Sequence, residues 1–385
     1  MAYPIIKKGS KIGIHATQTV GQAIDKLKSM KNQGIDCPVW KVVDNLGAAV
    51  EAYNISPNSV IIFRFCNPDD SAQDIEKEGY DYQGAVNRTF NLLYSRFQAP
   101  EEKALLYKPN FWVEVLNEAD PPGVQGWGNF GRLCGMMAER ATKENIKIML
   151  PAFNNGTPEY DEFIAFTASG VFQKMVAGNH ILSIHEGQIG IKEPVIIYGT
   201  IPNAPAVNGA CVLALRYRYW LDYLKKKNIP IPGIIVTEFY AGGGHGIEPD
   251  SEPKEKIVER FITADKEYAK DPEIIAILPF TICLDDGWKE SDYTYVYDDL
   301  IKYMVSVKDR VNGGNDNIYF TKSTLNVRAY AWIEVNKPPD IVRSIPENTP
   351  VTVYWTTVTS DPNRAVWACI SPNRNEWVSM AYLRK

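Results

Sequence analysis

From residue 11 to about 310, short apolar runs alternate with longer stretches in which apolar positions recur at helical spacing. The runs fall at 12–16, 39–43, 60–65, 111–116, 146–152, 181–185, 234–239 and 274–281. Each is rich in Ile, Val and Phe and is followed by polar, Gly or Pro residues, which predicts strands. Runs this continuously apolar suit a parallel sheet covered on both faces. Between them, 22–33, 84–97, 129–145, 207–227, 254–270 and 292–307 carry the helical period. The stretch 44–54 is short for a helix and is the least defined unit. Eight strand–helix units over about 300 residues is the count of a (β/α)8 TIM barrel, whose usual size is about 250 residues. No GxGxxG follows a strand and no P-loop occurs, so a barrel is better supported than an open doubly wound sheet.

The pattern changes after Val311. Asn312-Gly-Gly-Asn-Asp-Asn reads as a turn-rich linker. Short alternating runs follow at 324–328, 330–335, 351–355, 365–370 and 376–381, a small all-β barrel pattern. The expected division is therefore 1–311 and 312–385 within α/β and all-β architecture.

Composition narrows the function. The chain has 385 residues, 45% hydrophobic and 23% charged, enough apolar surface to fold. Its 41 Lys and Arg against 46 Asp and Glu leave a net charge of −5, so no basic face is available for nucleic acid. The longest near-apolar run, 274–284, is too short to span a membrane, which needs about 20 residues, so no membrane insertion is expected. The start, Met-Ala-Tyr-Pro-Ile-Ile-Lys-Lys, lacks the apolar stretch of a signal peptide. Six cysteines without CxxC spacing read as mostly buried thiols rather than a zinc or disulfide framework. Only four histidines occur, with no HExxH and no GxSxG, so metal and Ser-His-Asp chemistry are unsupported. Asp285-Asp286 reads as a solvated loop rather than a cation site. No cofactor is implied, and a monomer is expected.

Two glutamates carry the chemistry. In Phe111-Trp-Val-Glu-Val-Leu-Asn-Glu, the fourth strand runs out into Asn117-Glu118. In Gly233-Ile-Ile-Val-Thr-Glu, Glu238 ends the seventh strand, before a Gly242-Gly-Gly-His loop. Barrel enzymes place their sites at the C-terminal strand ends, so both acids are placed to act there. A retaining glycosidase needs one carboxylate to attack the anomeric carbon and one carboxylic acid to protonate the leaving oxygen, about 5–5.5 Å apart. Their surroundings must separate the two pKa values.

Other residues are candidates beside them. His185 ends the sixth strand and can hydrogen-bond a carboxylate or a sugar hydroxyl, or be a satisfied strand-end histidine. Glu186 binds sugar or faces a neighbouring loop. Arg64, near the end of strand three, can pair with Glu114 inside the barrel, where a buried charge needs a partner, and has a second role under the resemblance below. Glu114 stands four residues before Glu118, and strand alternation puts both toward the lumen. Lys41 reads as a salt-bridging strand charge. Asn154 and His15 stand at strand ends near the cleft. Trp127, Phe130, Tyr240 and Trp288 follow strands four, seven and eight and can pack on sugar C–H faces or in the core. Trp112 reads as core.

At Asn117-Glu118 and Glu238 the sequence resembles glycoside hydrolase clan A, the 4/7 barrel superfamily. The resemblance implies Glu118 as acid/base, Glu238 as nucleophile and Asn117 as partner of the sugar 2-hydroxyl. It also implies an arginine holding the nucleophile, although clan members commonly carry theirs after strand two. A tryptophan at strand eight is implied beneath the scissile sugar, a place Trp288 takes only if its loop folds back. Leu325-Asn-Val-Arg, Ile345-Pro-Glu-Asn-Thr-Pro-Val-Thr-Val-Tyr and Trp377-Val-Ser-Met-Ala-Tyr-Leu resemble the bacterial SH3-like domain, with Ala329-Tyr-Ala-Trp in place of its Ser-Gly-Pro turn. That likeness implies a bacterial cell-wall or surface polymer as partner and an extracellular or cell-surface setting. The expected activity is retaining hydrolysis of a β-linked polysaccharide or oligosaccharide. The alternative is a non-catalytic carbohydrate-binding protein on the same scaffold.

Overall fold

The computed structural model describes residues 3–4, 6–17, 19–67, 74–75, 77–188, 196, 199–242, 251–282, 288–312, 318–328, 341–353, 355–358, 366–370 and 376–384. The chain divides into two compact units, Met1–Val311 and Asn312–Lys385.

The first unit is a parallel eight-stranded barrel. β1 (Ile14–Ala16), β2 (Val39–Val43), β3 (Val60–Arg64), β4 (Phe111–Glu114), β5 (Ile148–Phe153), β6 (Ile181–Gln188), β7 (Ile234–Ala241) and β8 (Ile274–Pro279) pair in chain order. Parallel bridges from Ile12 to Ile277 and from Ala16 to Ile282 bring β8 back against β1. Among the described residues, ten helices follow the strands: α1 (Gly21–Asn32), α2 (Leu46–Ile55), α3 (Tyr82–Arg96), α4 (Pro100–Leu106), α5 (Gly123–Lys143), α6 (Tyr160–Ala168), α7 (Val171–Ala177), α8 (Tyr217–Lys226), α9 (Lys254–Tyr268) and α10 (Tyr297–Ser306). Their apolar stripes bury against the outer strand faces in one continuous core. A second cluster, with Val39, Ile62, Trp112, Ile181, Ile235 and Ile275, fills the barrel interior. Among the described residues, no helix is long and apolar enough to cross a membrane.

Four departures from the sequence pattern bear on the site. The short stretch after β2 is a helix, α2, because the Asn45 side chain accepts from the Ala48 N–H and caps it. The segment 207–227 is helical only from Tyr217. Ahead of it, the buried Glu186 carboxylate accepts the backbone N–H groups of Leu215 and Tyr217, with Leu215 at φ +58°. α5 begins at Gly123, earlier than the periodicity from 129 indicates. β6 and β7 run on to Gln188 and Ala241, which puts Tyr240 on a strand rather than in a loop.

The second unit holds two antiparallel sheets. β9 (Ile318–Thr321), β10 (Leu325–Arg328), β11 (Ile341–Ile345), β12 (Pro350–Thr352), β13 (Trp355–Val358), β14 (Val366–Cys369), β15 (Trp377–Ser379) and β16 (Leu383–Arg384) are its strands. They pair as β11-β10-β15-β14-β13 and as β12-β9-β16. Leu325, Val327, Ile345, Val351, Ala368 and Val378 belong to a small core of their own. The single run expected at 351–355 is split between β12 and β13, and β11 was not anticipated. The run expected at 330–335 and the Ala329-Tyr-Ala-Trp segment lie outside the described residues.

Candidate active site

The barrel interior changes from apolar to polar toward the C-terminal strand ends. Beyond the apolar cluster, Lys41 on β2 and Glu114 on β4 are fully buried and pair at 2.5 Å. Glu114 also accepts the Ser183 hydroxyl from β6, and Ser183 Oγ lies 2.8 Å from Thr237 Oγ1 on β7. Burial pushes the Glu114 carboxyl up, but the charges of Lys41, Arg64 and His185 outweigh it and hold the pKa near 2. Buried ions are tolerated only in such pairs.

A bulge in β7 supplies the next layer. The β6–β7 register passes from Ile184 opposite Val236 to His185 opposite Glu238, leaving Thr237 as an extra residue. Bulges re-aim side chains. Here consecutive residues both reach inward, Thr237 to Ser183 and Glu238 to the cavity above. Glu118 is aimed by a different device. It lies past the end of β4 at φ +52°, a left-handed conformation that non-glycine residues seldom adopt, and its N–H donates to Ala152 O at 2.9 Å. Such strain at a strand end is characteristic of functional positions.

Both carboxylates line one cavity of about 330 Å³, with Thr17, Asp44, Arg64, Cys66, Asn117, Tyr240, Phe280 and Trp288. His185 Nδ1 stands between them, 2.8 Å from Glu118 Oε1 and 3.6 Å from Glu238 Oε2. An ionised carboxylate can only accept, so Nδ1 carries the proton toward Glu118. An oxygen of Glu118, a ring nitrogen of His185 and an oxygen of Glu238 lie within 4.8 Å of one another.

The two acids sit in different surroundings. The Glu238 side chain is 5% exposed, whereas the Glu118 side chain is 35% exposed. Tyr240 donates its hydroxyl to Glu238 Oε2 at 2.8 Å, and Arg64 Nη1 donates to Oε1 at 3.4 Å. Lys41 Nζ lies 3.8 Å from the same Oε1. For Glu118, burial pushes the carboxyl up, but the His185 hydrogen bond and the charges of His185, Arg64 and Lys41 pull it below the usual range. By distance alone, Glu118, His185 and Glu238 could share a metal ion. The Arg64 and Lys41 cations beside Glu238 would repel one, so the donor set does not fit a metal.

The expected site residues are thus only partly brought together. Asn117 lines the cavity, and its Oδ1 is buried with no hydrogen-bond partner among the described residues, as a group waiting for a ligand hydroxyl would be. Arg64 reaches Glu238, and its alternative partner Glu114 is taken by Lys41. Trp288 is 48% exposed at the cavity and meets Phe280 edge-on, ring centroids 5.1 Å apart. Trp127 does not reach the cavity. The early start of α5 makes it a helix residue on the buried stripe, packed against Phe130, Phe153 and Phe166. Asn154 is spent on a turn, its Oδ1 accepting from Asn155 N and its carbonyl from Thr157 N, and it is not among the cavity-lining residues. Glu186 faces the chain entering α8, not the site. His15 is fully buried against Phe280 at 4.8 Å. Five lining residues escaped sequence reasoning: Thr17, Val43, Asp44, Cys66 and Phe280. Phe280, directly after β8, occupies the strand-eight position expected of an aromatic, and the Pro-Phe-Thr run gave that signal. Asp44, directly after β2, opens the stretch 44–54 that the sequence leaves least defined.

The sequence matches no known protein family. No curated protein matches it either. Solved structures with some likeness include a β-mannanase from Thermomonospora fusca, at 13% identity over 73% of this chain and 82% of that one, TM-score 0.41. Another is a GH128 endo-β-1,3-glucanase from Pseudomonas viridiflava, at 16% identity over 77% and 97%, TM-score 0.40. A third is the cellulose synthase subunit Z from Clostridioides difficile, at 12% identity over 77% and 99%, TM-score 0.43. Likeness this slight leaves the chemistry to be argued from the chain's own residues.

Proposed function

We propose that the chain is a retaining glycoside hydrolase acting on β-linked sugars, with Glu238 as nucleophile and Glu118 as acid/base. The supporting observation is that two glutamates, Glu118 past the end of β4 and Glu238 within β7, meet in one cavity with an oxygen of each within 4.8 Å of the other. An oxygen–oxygen approach of at most 4.8 Å is compatible with the roughly 5–5.5 Å carboxyl separation of double displacement.

Glu238 is dressed as an anion by Arg64, Lys41 and the Tyr240 hydroxyl, as an attacking carboxylate requires. Glu118 is the more open acid. Held below the usual carboxylate range by His185 and the nearby cations, it stands ready as a base. A sugar covering its exposed third removes water and pushes its pKa up, so that it holds a proton taken from solvent and gives it to the leaving oxygen as Glu238 attacks the anomeric carbon. Once Glu238 is glycosylated, its negative charge is gone, and Glu118 again favours the base form that activates water. His185, donating to Glu118, keeps that carboxylate aimed at the bond. Asn117 offers its unpartnered oxygen to a sugar hydroxyl, and Phe280 with Trp288 offers an aromatic wall. The C-terminal unit, by the likeness of its Leu325-Asn-Val-Arg and Trp377-Val-Ser segments, is assigned the binding of a cell-wall or surface polymer, which would place the enzyme at the cell exterior.

The test is an aryl-β-glycoside panel run on wild type, Glu238→Gln and Glu118→Gln. Release by wild type that vanishes in Glu238→Gln supports the proposal. Glycan binding with no release from any substrate supports a non-catalytic sugar-binding role instead.

A further inference from the structure

We infer that Asp44 is a specificity-determining residue: its open carboxylate oxygen accepts from hydroxyl or ammonium groups of the sugar in the cavity and turns away sugars that carry an acid group. The inference rests on the reading of this cavity as a sugar site and narrows the class of sugar it takes.

Asp44 is aimed by the way β2 ends. It follows Val43, the last residue of the strand, at φ +53°, the left-handed conformation that Glu118 also adopts past β4. Asp is among the few residues that visit it, because its short polar side chain can bond locally. The Asp44 N–H donates to Arg64 O at 2.8 Å, tying the turn to the end of β3. Asp44 Oδ1 accepts the Cys66 N–H at 3.2 Å. Arg96 Nη2 stands 4.0 Å from the same oxygen but does not line the cavity. No hydrogen bond reaches Oδ2 among the described residues. The side chain is 14% exposed and lines the cavity with Glu118 and Glu238. One oxygen is thus fixed by the protein, and the other is left to whatever the cavity holds.

What the cavity can hold follows from what its wall has left to offer. Asn117 Oδ1, buried without a partner among the described residues, is a second open acceptor. The nearby donors are spent. Tyr240 gives its hydroxyl to Glu238 Oε2, and Arg64, the one basic residue among the described lining, is committed to Oε1. Lys41 is sealed beneath and paired with Glu114. The lining therefore carries three carboxyl groups, on Asp44, Glu118 and Glu238, against one engaged guanidinium. Such a wall is complemented by a ligand rich in donors. Neutral sugars present hydroxyls, and amino sugars add an ammonium, so both fit. A uronic acid has a carboxylate in place of the hydroxymethyl group. That group only accepts, and it brings a like charge to Asp44. Like charges set together in a binding site suppress the wrong partner.

Asp44→Asn separates selection from turn formation. Asn tolerates the same left-handed backbone, and its Oδ1 can keep the Cys66 N–H. The open oxygen becomes an amide NH2, a donor without charge. A bond from a sugar donor to a charged acceptor is lost, which should lower kcat/KM on neutral or amino sugars about 10- to 100-fold. A uronide loses nothing and is relieved of repulsion. If Asp44 only closed the turn, every sugar would respond alike.

The experiment measures kcat/KM of the full chain and of Asp44→Asn on nitrophenyl β-glycosides in matched pairs. Glucoside, galactoside and mannoside are each set against their uronide, and glucosaminide supplies the ammonium. Wild type should favour the neutral or amino sugar by at least about 100-fold. Asp44→Asn should narrow that ratio at least about tenfold. A glucosaminide preferred over glucoside, with the preference lost in Asp44→Asn, assigns the open oxygen to an ammonium; equal losses on both assign it to a hydroxyl. A wild type that prefers a uronide, or a ratio that Asp44→Asn leaves unchanged, overturns the inference while the hydrolase reading stands. If nothing is hydrolysed, that reading fails, and binding of the same glycosides by ligand-observed NMR decides the inference. The same preference and the same narrowing support it; no preference, or no binding of any member, overturns it. If Asp44→Asn does not fold, Asp44→Gly, which adopts the left-handed turn freely, takes its place.

Discussion

Replacing Tyr240 by Phe deletes one oxygen from the cavity wall and tests whether Glu238 passes through a covalent state. The hydroxyl donates to Glu238 Oε2 at 2.8 Å in a nearly buried position. The ring packs on Phe280 with centroids 5.5 Å apart, a contact Phe preserves, so stability should change little. A hydrogen bond to a charged group contributes about 1.5–3 kcal/mol. In double displacement the Glu238 charge exists in the free enzyme, is absent in the glycosyl-enzyme and returns as water releases the sugar. The hydrogen bond therefore favours release much more than it favours attack. Its loss should slow release about 10- to 100-fold. With attack less affected, the glycosyl-enzyme should accumulate, so kcat and KM fall together. The assay is steady-state and burst kinetics on an aryl glycoside with a good leaving group, with mass spectrometry of the quenched protein. Unchanged kcat, or a rise in KM at constant kcat, would refute the reasoning, because the hydroxyl would then act on bound sugar rather than on Glu238.

Other substitutions separate the remaining roles. Glu118→Gln should lose about 10²- to 10⁴-fold on glycosides with poor leaving groups and far less in the bond-breaking step for dinitrophenyl glycosides, which need no proton; equal losses on both would argue against an acid role. Trp288→Ala should raise KM several-fold with an unchanged melting temperature, since the indole is half exposed at the cavity. Trp127→Ala should instead destabilise by about 3–5 kcal/mol in denaturant titration, because that indole fills a fully buried aromatic cluster. Burial pushes the Glu186 carboxyl up to about 7, partly opposed by the Tyr268 hydroxyl and the N–H groups of Tyr217 and Leu215. The folded chain then binds a proton that the unfolded chain has released between about pH 4.5 and 7. Through this group, stability should fall by about 3 kcal/mol as pH rises across that window. Glu186→Gln should lack that component, read as the difference between urea curves of variant and wild type at pH 5 and 8; parallel curves would contradict it.

The barrel was legible because its strands are apolar on both faces and recur between amphipathic segments, which few other folds require. Strand centres such as 39–43 were therefore unambiguous, while ends governed by caps and bulges were not. Asn45 capping α2 and Thr237 bulging from β7 are single-residue events that no period reveals. The candidate glutamates were read from their place in strands four and seven and from the Asn117-Glu118 motif. Their partners could not be read this way, because pairing across the lumen depends on how far each strand is staggered. That stagger, not the spacing along the chain, gives Glu114 to Lys41 and Arg64 to Glu238. Trp127 was misplaced for a different reason. A helix beginning at a glycine-rich segment hides its first turns, so a core residue looks like a loop aromatic.

The most direct measurement is to treat the chain with the activated 2-deoxy-2-fluoroglycoside of whichever sugar the panel identifies, then digest it and map the adduct. A trapped sugar esterified to Glu238, absent from Glu238→Gln, is the predicted result. A label on Glu118, or turnover that yields an inverted product and no adduct, would contradict it.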